Sequence, residues 1–207
     1  MSRIRELAPL VTDQIAAGEV VERPASVAKE LVENALDAGA RRIRVTVEEP
    51  AEAGRLAAIV VEDDGIGMDR EDVELSVRRH STSKIAAVED LDHLATLGFR
   101  GEALASIAAV SRLTLESRDR DSPTGYRIVV EGGSIRERGS VAREAGTRVM
   151  SEELFLAVPA RLKAQKTPAA ETAAIRELVG ALAVVRPEVA FELQRNGEPL
   201  FATPGDG

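Results

Sequence analysis

The stretch Lys29-Glu-Leu-Val-Glu-Asn-Ala-Leu-Asp-Ala-Gly39 carries three carboxylates and an amide among apolar residues. On a helical wheel of about 100° per residue it divides into two faces. Val27, Leu31, Ala35 and Ala38 fall together, widened by Ala28, Val32 and Leu36, while Glu30, Glu33, Asn34 and Asp37 form a stripe beside them. Such a stripe is either a solvated helix face or the floor of a site that holds a cation and activates a water.

Three further segments could do chemistry. Asp63-Asp-Gly-Ile-Gly67 follows an apolar run. An ionised aspartate is acceptor-only and suits an exocyclic amino group, and Gly65 and Gly67 would let a planar ligand lie against the main chain. The same residues also make an ordinary strand-ending turn. Gly98-Phe-Arg-Gly-Glu-Ala-Leu104 is a glycine-containing loop entering a helix, where backbone N–H groups and the helix dipole favour an anion. It has neither P-loop nor dinucleotide spacing. Ser81-Thr-Ser-Lys84 offers hydroxyls and a cation suited to phosphate oxygens, or to a helix cap.

Composition sets the frame. A chain of 207 residues fits one domain with at most a small appendage. Its 44% apolar content supports a core, and with 2% aromatics that core is aliphatic. Few aromatics argue against a base-stacking platform, and a net charge of −8 argues against a compact nucleic-acid module. Without cysteine there are no thiolate sites, and His80 and His93 are too few for a histidine metal centre. No signal-peptide core and no membrane-length apolar run is visible, so a cytoplasmic protein is expected.

These segments must be held by the elements around them. Helices are expected at Pro9–Gly18, stopped by its glycine, and from Pro24 to Gly39, with Pro24 in the first turn and Ser26 assisting as a cap. Asp69–Arg79, Glu102–Ala109, Ala160–Gln165 and Ala169–Val185 also read as helices. Strands are expected at Ile43–Glu48, Leu56–Glu62, Arg112–Ser117, Gly125–Glu131, Ser134–Ala142, Thr147–Ser151, Val189–Gln194 and Leu200–Ala202, with Asn196-Gly197 as a hairpin turn. The nearly all-apolar Leu56–Glu62 is expected to be central. Residues 81–101 lack a firm pattern, as functional segments often do. The order predicts an α+β two-layer sandwich: a mixed, mostly antiparallel sheet covered by helices on one face. Residues 1–201 read as one domain and 202–207 as the start of a linker, in a chain cut from a longer polypeptide.

The order of these motifs is more specific than any one of them. Glu30-Leu-Val-Glu-Asn-Ala-Leu-Asp-Ala-Gly39, Asp63-x-Gly-x-Gly67, Thr82-Ser-Lys-Ile85, Leu97-Gly-Phe-Arg-Gly-Glu-Ala-Leu-Ala-Ser-Ile107 and Gly146-Thr147 together resemble the GHKL (Bergerat-fold) ATPase superfamily. With Gln14-Ile-Ala-Ala-Gly-Glu-Val-Val-Glu-Arg-Pro-Ala-Ser26 and Pro159-Ala-Arg161, the set resembles the MutL family of DNA mismatch-repair proteins. The resemblance is dense from about residue 10 to 115 and thinner beyond. It implies that Glu30 is the general base, that Asn34 ligates the Mg²⁺ of bound ATP, and that Asp63 reads adenine with Thr147 through a shared water. Ala38 and Met68 would wall the base beside Gly65 and Gly67. Thr82, Ser83, Lys84 and Gly98, Phe99, Arg100, Gly101, Glu102, Ala103 and Leu104 would hold the phosphates. It further implies lid closure over residues 81–101, homodimerisation on ATP binding with a monomer for this chain alone, DNA contact through the full-length dimer, and a mismatch-recognition partner of the MutS type. Mismatch recognition would thereby be coupled to strand incision, at the nucleoid during repair.

Two departures stand out. Asp64 occupies a position where the family often has Asn, and Leu154-Phe-Leu-Ala-Val-Pro-Ala-Arg161 lacks the Tyr-Asn-Thr that commonly precedes Pro-Ala-Arg. The second domain that supplies a lysine to the γ-phosphate is not in these residues, so slow or absent hydrolysis is expected. Competing readings are a non-catalytic scaffold with a degenerate pocket, or another superfamily member such as a gyrase-type subunit or a kinase. Arg41-Arg42, Arg78-Arg79-His80 and Arg161, Lys163 and Lys166 are basic clusters that could touch phosphate or simply be solvated.

Overall fold

A computed structural model describes residues 9–50, 54–79, 81 and 102–207. Helices α1 (Pro9–Val20) and α2 (Pro24–Asp37) precede strands β1 (Arg42–Glu48) and β2 (Ala58–Asp63). Then come α3 (Arg70–Ser76), α4 (Ala103–Val110), β3 (Arg112–Arg118), β4 (Gly125–Glu131), β5 (Ser134–Val141) and β6 (Gly146–Glu152). Helices α5 (Pro159–Ala164) and α6 (Pro168–Val185) lead to β7 (Ala190–Arg195) and β8 (Glu198–Ala202). The strands form one sheet of order β5-β4-β3-β6-β2-β1-β7-β8. Among the described residues only β1 and β7 run parallel; every other pair is antiparallel. This is the expected α+β sandwich.

Strand alternation decides which face carries the helices. Ile43, Val45, Val47, Ile59, Val61, Leu113, Leu115, Ile128, Val130 and Val149 share one apolar cluster with Val27, Leu31, Val32, Ala35 and Leu36 of α2. Val73 of α3, Ile107 and Ala108 of α4, and Ile175 and Val179 of α6 complete that cluster. The opposite face is a ladder of alternating charge. Glu192, Arg44, Glu62, Arg148, Glu116 and Arg127 lie in register on β7, β1, β2, β6, β3 and β4. Arg44 pairs with Glu192 at 2.8 Å and Glu62 at 3.7 Å; Arg127 pairs with Glu116 at 3.5 Å and Glu137 of β5 at 3.2 Å. β2 is central, as its apolar run predicts, and among the described residues the helices pack on one of its faces.

Several boundaries move for identifiable reasons. α1 continues through Gly18 to Val20. The Arg161 guanidinium lies where a side chain on Gly18 would point, so a larger residue there would displace it. That guanidinium also donates to Val21 O at 2.7 Å and lies over the Phe155 ring at 5.6 Å. Arg161, half-buried, thus ties α5 to the end of α1. Phe155 is fully buried and its N–H donates to Val110 O at 2.7 Å, which gives the divergent 154–161 segment an anchoring role. α3 is shorter than expected: Asp69 is its N-cap, accepting from the Asp72 N–H, and the helix ends at Ser76.

Ser26 does not cap α2. The N-cap is Arg23, which makes no side-chain cap bond. Glu171, in the first turn of α6 and 1% exposed, supplies the acceptor instead. Its Oε2 accepts from Arg23 Nε at 3.1 Å and from the Ala25 N–H at 3.4 Å, and its Oε1 lies 3.1 Å from Arg23 Nη2. After β8, the Thr203 N–H donates to Phe191 O and the Gly207 N–H to Pro187 O, so residues 203–207 follow β7. Asn196 and Gly197 both take positive φ, 51° and 80°, as the expected hairpin turn requires.

Candidate nucleotide site

α2 forms because Pro24 fits its first turn and a continuous apolar face can be buried. Its C-cap is Ala38, and Gly39 takes φ 70°, where a side chain is disfavoured. Glu30, Asn34 and Ala38 follow one another at single-turn spacing, about 6 Å per step along the axis. The Glu30 side chain is 24% exposed and 3.7 Å from Lys29 Nζ, which pairs more closely with Glu33 at 3.0 Å. The stripe therefore divides: Lys29 and Glu33 make an ordinary i, i+4 surface pair, while Glu30, Asn34 and Ala38 run toward the end of β2.

That junction is built by close backbone approach. The Ile66 N–H donates to Ala38 O at 3.0 Å. A side chain on Gly65 would meet Ala38 Cβ, Ala38 O and Asp63 Oδ1, each at 2.9 Å. Gly67 has φ 71° and a side chain there would strike the Arg118 backbone. At both glycines the protein's own packing takes the direction a side chain would use. Asp64 turns the other way: its Oδ1 accepts from the Arg41 and Arg42 N–H groups at 2.7 and 2.8 Å. Its Oδ2 also lies 3.7 Å from the exposed Arg42 Nε; the two backbone N–H bonds need only an acceptor oxygen, which an Asn would also supply.

Asp63 ends β2 on the helix-bearing face. The register opposes it to Thr147 of β6, and Thr147 to Ser117 of β3. Asp63, Thr147 and Ser117 form a polar row where the rows beneath, such as Val61, Val149 and Leu115, are apolar. Asp63 Oδ1 accepts from the Gly65 N–H at 2.9 Å. Burial pushes the Asp63 carboxyl up to about 6, against the lowering effects of the Gly65 N–H, the Arg143 cation and the Thr147 N–H. Arg143 is itself lowered, burial being the main cause; its Nη1 donates to Glu116 O at 2.7 Å. A carboxylate in this setting gains from a ligand that donates hydrogen bonds to it.

The structure brings together Ala38, Asp63, Gly65, Gly67, Met68 and Thr147, with Glu30 and Asn34 leading in along α2. Glu102 is the N-cap of α4 without a side-chain cap bond, and Ala103 and Leu104 open that helix, which packs on α1 and α2. Thr82, Ser83, Lys84, Gly98, Phe99, Arg100 and Gly101 lie outside the described residues, as does the expected closure of 81–101. Ser117 and Arg143 were not anticipated. The one signal for Ser117 is parity, since it is a polar residue in the inward phase set by Leu113 and Leu115; Arg143 gave none. Among the described residues no group of three or more His, Asp or Glu could hold a metal ion. A magnesium ion here would take the hard amide oxygen of Asn34 together with phosphate oxygens.

A one-sided mixed sheet, a Glu/Asn helix crossing it and a carboxylate beside a Gly-x-Gly turn define an ATP-binding class of fold. Residues 22–149 match the family described as histidine kinase-, DNA gyrase B- and HSP90-like ATPase, and the chain belongs to that family. Within it, the chain is similar to the DNA mismatch repair protein MutL of Symbiobacterium thermophilum, 55% identical over 207 residues, and of Desulforudis audaxviator, 53% identical over 207 residues. It spans 32% and 36% of those two proteins, about a third of their length. Its structure is similar to the Aquifex aeolicus MutL ATPase domain complexed with ADP, with a TM-score of 0.75 and 32% identity, covering 91% of this chain and 66% of that one. It is also similar to the N-terminal domain of a DNA repair protein, with a TM-score of 0.71 and 25% identity, covering 98% of this chain and 59% of that one. Among the described residues no helix is long and apolar enough to cross a membrane.

Proposed function

We propose that the chain is the ATP-binding and hydrolysing part of a MutL-type mismatch-repair protein, and that the Asp63–Thr147 row is where it reads adenine. The juxtaposition of that row with α2 carries the reading. Asp63 accepts from the adenine amino group, with Thr147 completing the polar contact and Ala38 and Met68 flanking the base. Asn34, one turn before Ala38, holds Mg²⁺ against the phosphates, and Glu30, one turn earlier still, takes the proton of the attacking water. Spacing base, metal ligand and base-reading carboxylate along one helix and its adjoining turn is the positioning logic of phosphoryl transfer.

In this reading Thr82, Ser83, Lys84 and residues 98–104 cradle the phosphates, and closure of 81–101 over ATP favours homodimerisation. Residues 1–201 form the nucleotide domain and 202–207 lead toward a second domain that contributes a lysine to the γ-phosphate. Hydrolysis by residues 1–207 alone is accordingly slow or absent, and the chain alone is a monomer. The cycle couples a MutS-type mismatch-recognition protein, and DNA bound by the full-length dimer, to strand incision in the cytoplasm at the nucleoid. The similarity to MutL proteins over the whole chain supports this assignment. Titration of ATP with Mg²⁺ into wild type and Asp63→Asn tests the site: affinity should fall at least about tenfold, about 1.4 kcal/mol. Equal affinity would remove Asp63 from base recognition.

A further inference from the structure

Ser117 touches two residues of the proposed pocket yet is 0% exposed and cannot touch a ligand. Its Oγ has three polar neighbours: the Met68 N–H at 2.9 Å, Gly146 O at 3.0 Å and Thr147 Oγ1 at 2.8 Å. A hydroxyl has one proton and two lone pairs, so the count is closed. An N–H can only donate, so Met68 donates to Ser117. A carbonyl can only accept, so Ser117 donates to Gly146. The remaining lone pair of Ser117 must take the Thr147 proton. Thr147 is then left with lone pairs alone for the pocket.

The neighbouring donors are also committed. The Gly65 N–H goes to Asp63, the Ile66 N–H to Ala38 O and the Asp64 N–H to Arg42 O. The end of the pocket therefore offers acceptors, from Asp63 and Thr147, and a base bound there must bring donors. A 6-aminopurine brings N–H hydrogens at C6, whereas a 6-oxopurine brings another acceptor to the same place.

We propose that Ser117 is a positioning residue that fixes Thr147 as an acceptor and thereby makes the pocket select a 6-aminopurine over a 6-oxopurine nucleotide. This rests on the adenine-reading role of Asp63 proposed above. Without the Ser117 lone pair the Thr147 hydroxyl can rotate and donate to an oxo group, so discrimination narrows.

The test is the ratio of dissociation constants for ITP and ATP, with Mg²⁺, in wild type, Ser117→Ala and Ser117→Cys. Thermal melts establish that each variant is folded. The cysteine fills the site with only a weak donor and acceptor, so it keeps the question open should the alanine variant not fold. Wild type should prefer ATP, and both variants should reduce that preference about tenfold, equivalent to about 1.4 kcal/mol. A parallel loss of affinity for both nucleotides, with the ratio unchanged, would show that Ser117 only packs the pocket. A wild type that binds ATP and ITP equally would overturn the base-reading role of Asp63 itself, and this proposal with it.

Discussion

Asp63 and Thr147 face each other on antiparallel β2 and β6, and the Thr147 N–H helps hold the Asp63 carboxylate. Opposed residues on one face of a sheet have side chains within contact range. Two residues far apart in the sequence thus become neighbours at one end of the sheet.

The titration of Asp63 gives a pH dependence with a defined sign. Its carboxyl is raised to about 6 in the fold, chiefly by burial, from about 3.9 in an unfolded chain. The folded state therefore holds an extra proton between these values, and the stability this brings is lost as pH rises through 6. Asp63→Asn should raise the thermal midpoint of the unliganded protein at pH 8, by about 1–3 kcal/mol of stability, and have little such effect near pH 4. ATP affinity should move oppositely, weakening in wild type as pH falls from 7.5 to 5.5, as measured by calorimetric titration.

In the proposed role Glu30 acts on water and does not bind nucleotide. In an intact protein that includes the rest of the chain, Glu30→Gln should lower turnover by about 100-fold or more. ATP affinity should change less than about threefold, because the lost interaction belongs to the transition state. Loss of binding in step with turnover would move Glu30 from catalysis to ground-state contact.

Glu171 is buried, whereas the Arg23 side chain it meets is 34% exposed. Removing the carboxylate strands a partly buried cation and uncaps α2. Glu171→Ala should cost about 3 kcal/mol in urea unfolding. Glu171→Gln, which keeps an acceptor for the Ala25 N–H, should cost less. Equal costs would assign the whole effect to the charge.

Gly67 and Asp64 should respond very differently although they are close in sequence. Gly67→Ala combines a positive φ with a collision against the Arg118 backbone, and should destabilise by on the order of 3 kcal/mol. Asp64→Asn preserves an oxygen for the Arg41 and Arg42 N–H groups and should be nearly neutral. Asp64→Ala, which leaves both donors unpartnered, should cost about 1–2 kcal/mol. Chemical denaturation of the three variants ranks them directly.

The sequence by itself determined the elements and the face that α2 buries. Both rest on local periodicity, Pro24 in a first turn and Gly39 at a helix end. It also marked Glu30, Asn34, Asp63 and Thr147, because the order of polar residues and glycines survives in one dimension. Tertiary structure alone decided what fixes them. Glu171 caps a helix 146 residues away in the chain, Ser117 reaches Thr147 across 30 residues, and Arg161 reaches Val21 across 140. Gly18 reads locally as a helix stop, yet in three dimensions it is a gap for a guanidinium inside a continuing helix. Gly65 and Gly67 read as turn glycines, and in three dimensions a side chain on either would collide with Ala38 or the Arg118 backbone. Such contacts depend on which strands become neighbours, and strand order across a sheet leaves no trace in the periodicity of any one strand.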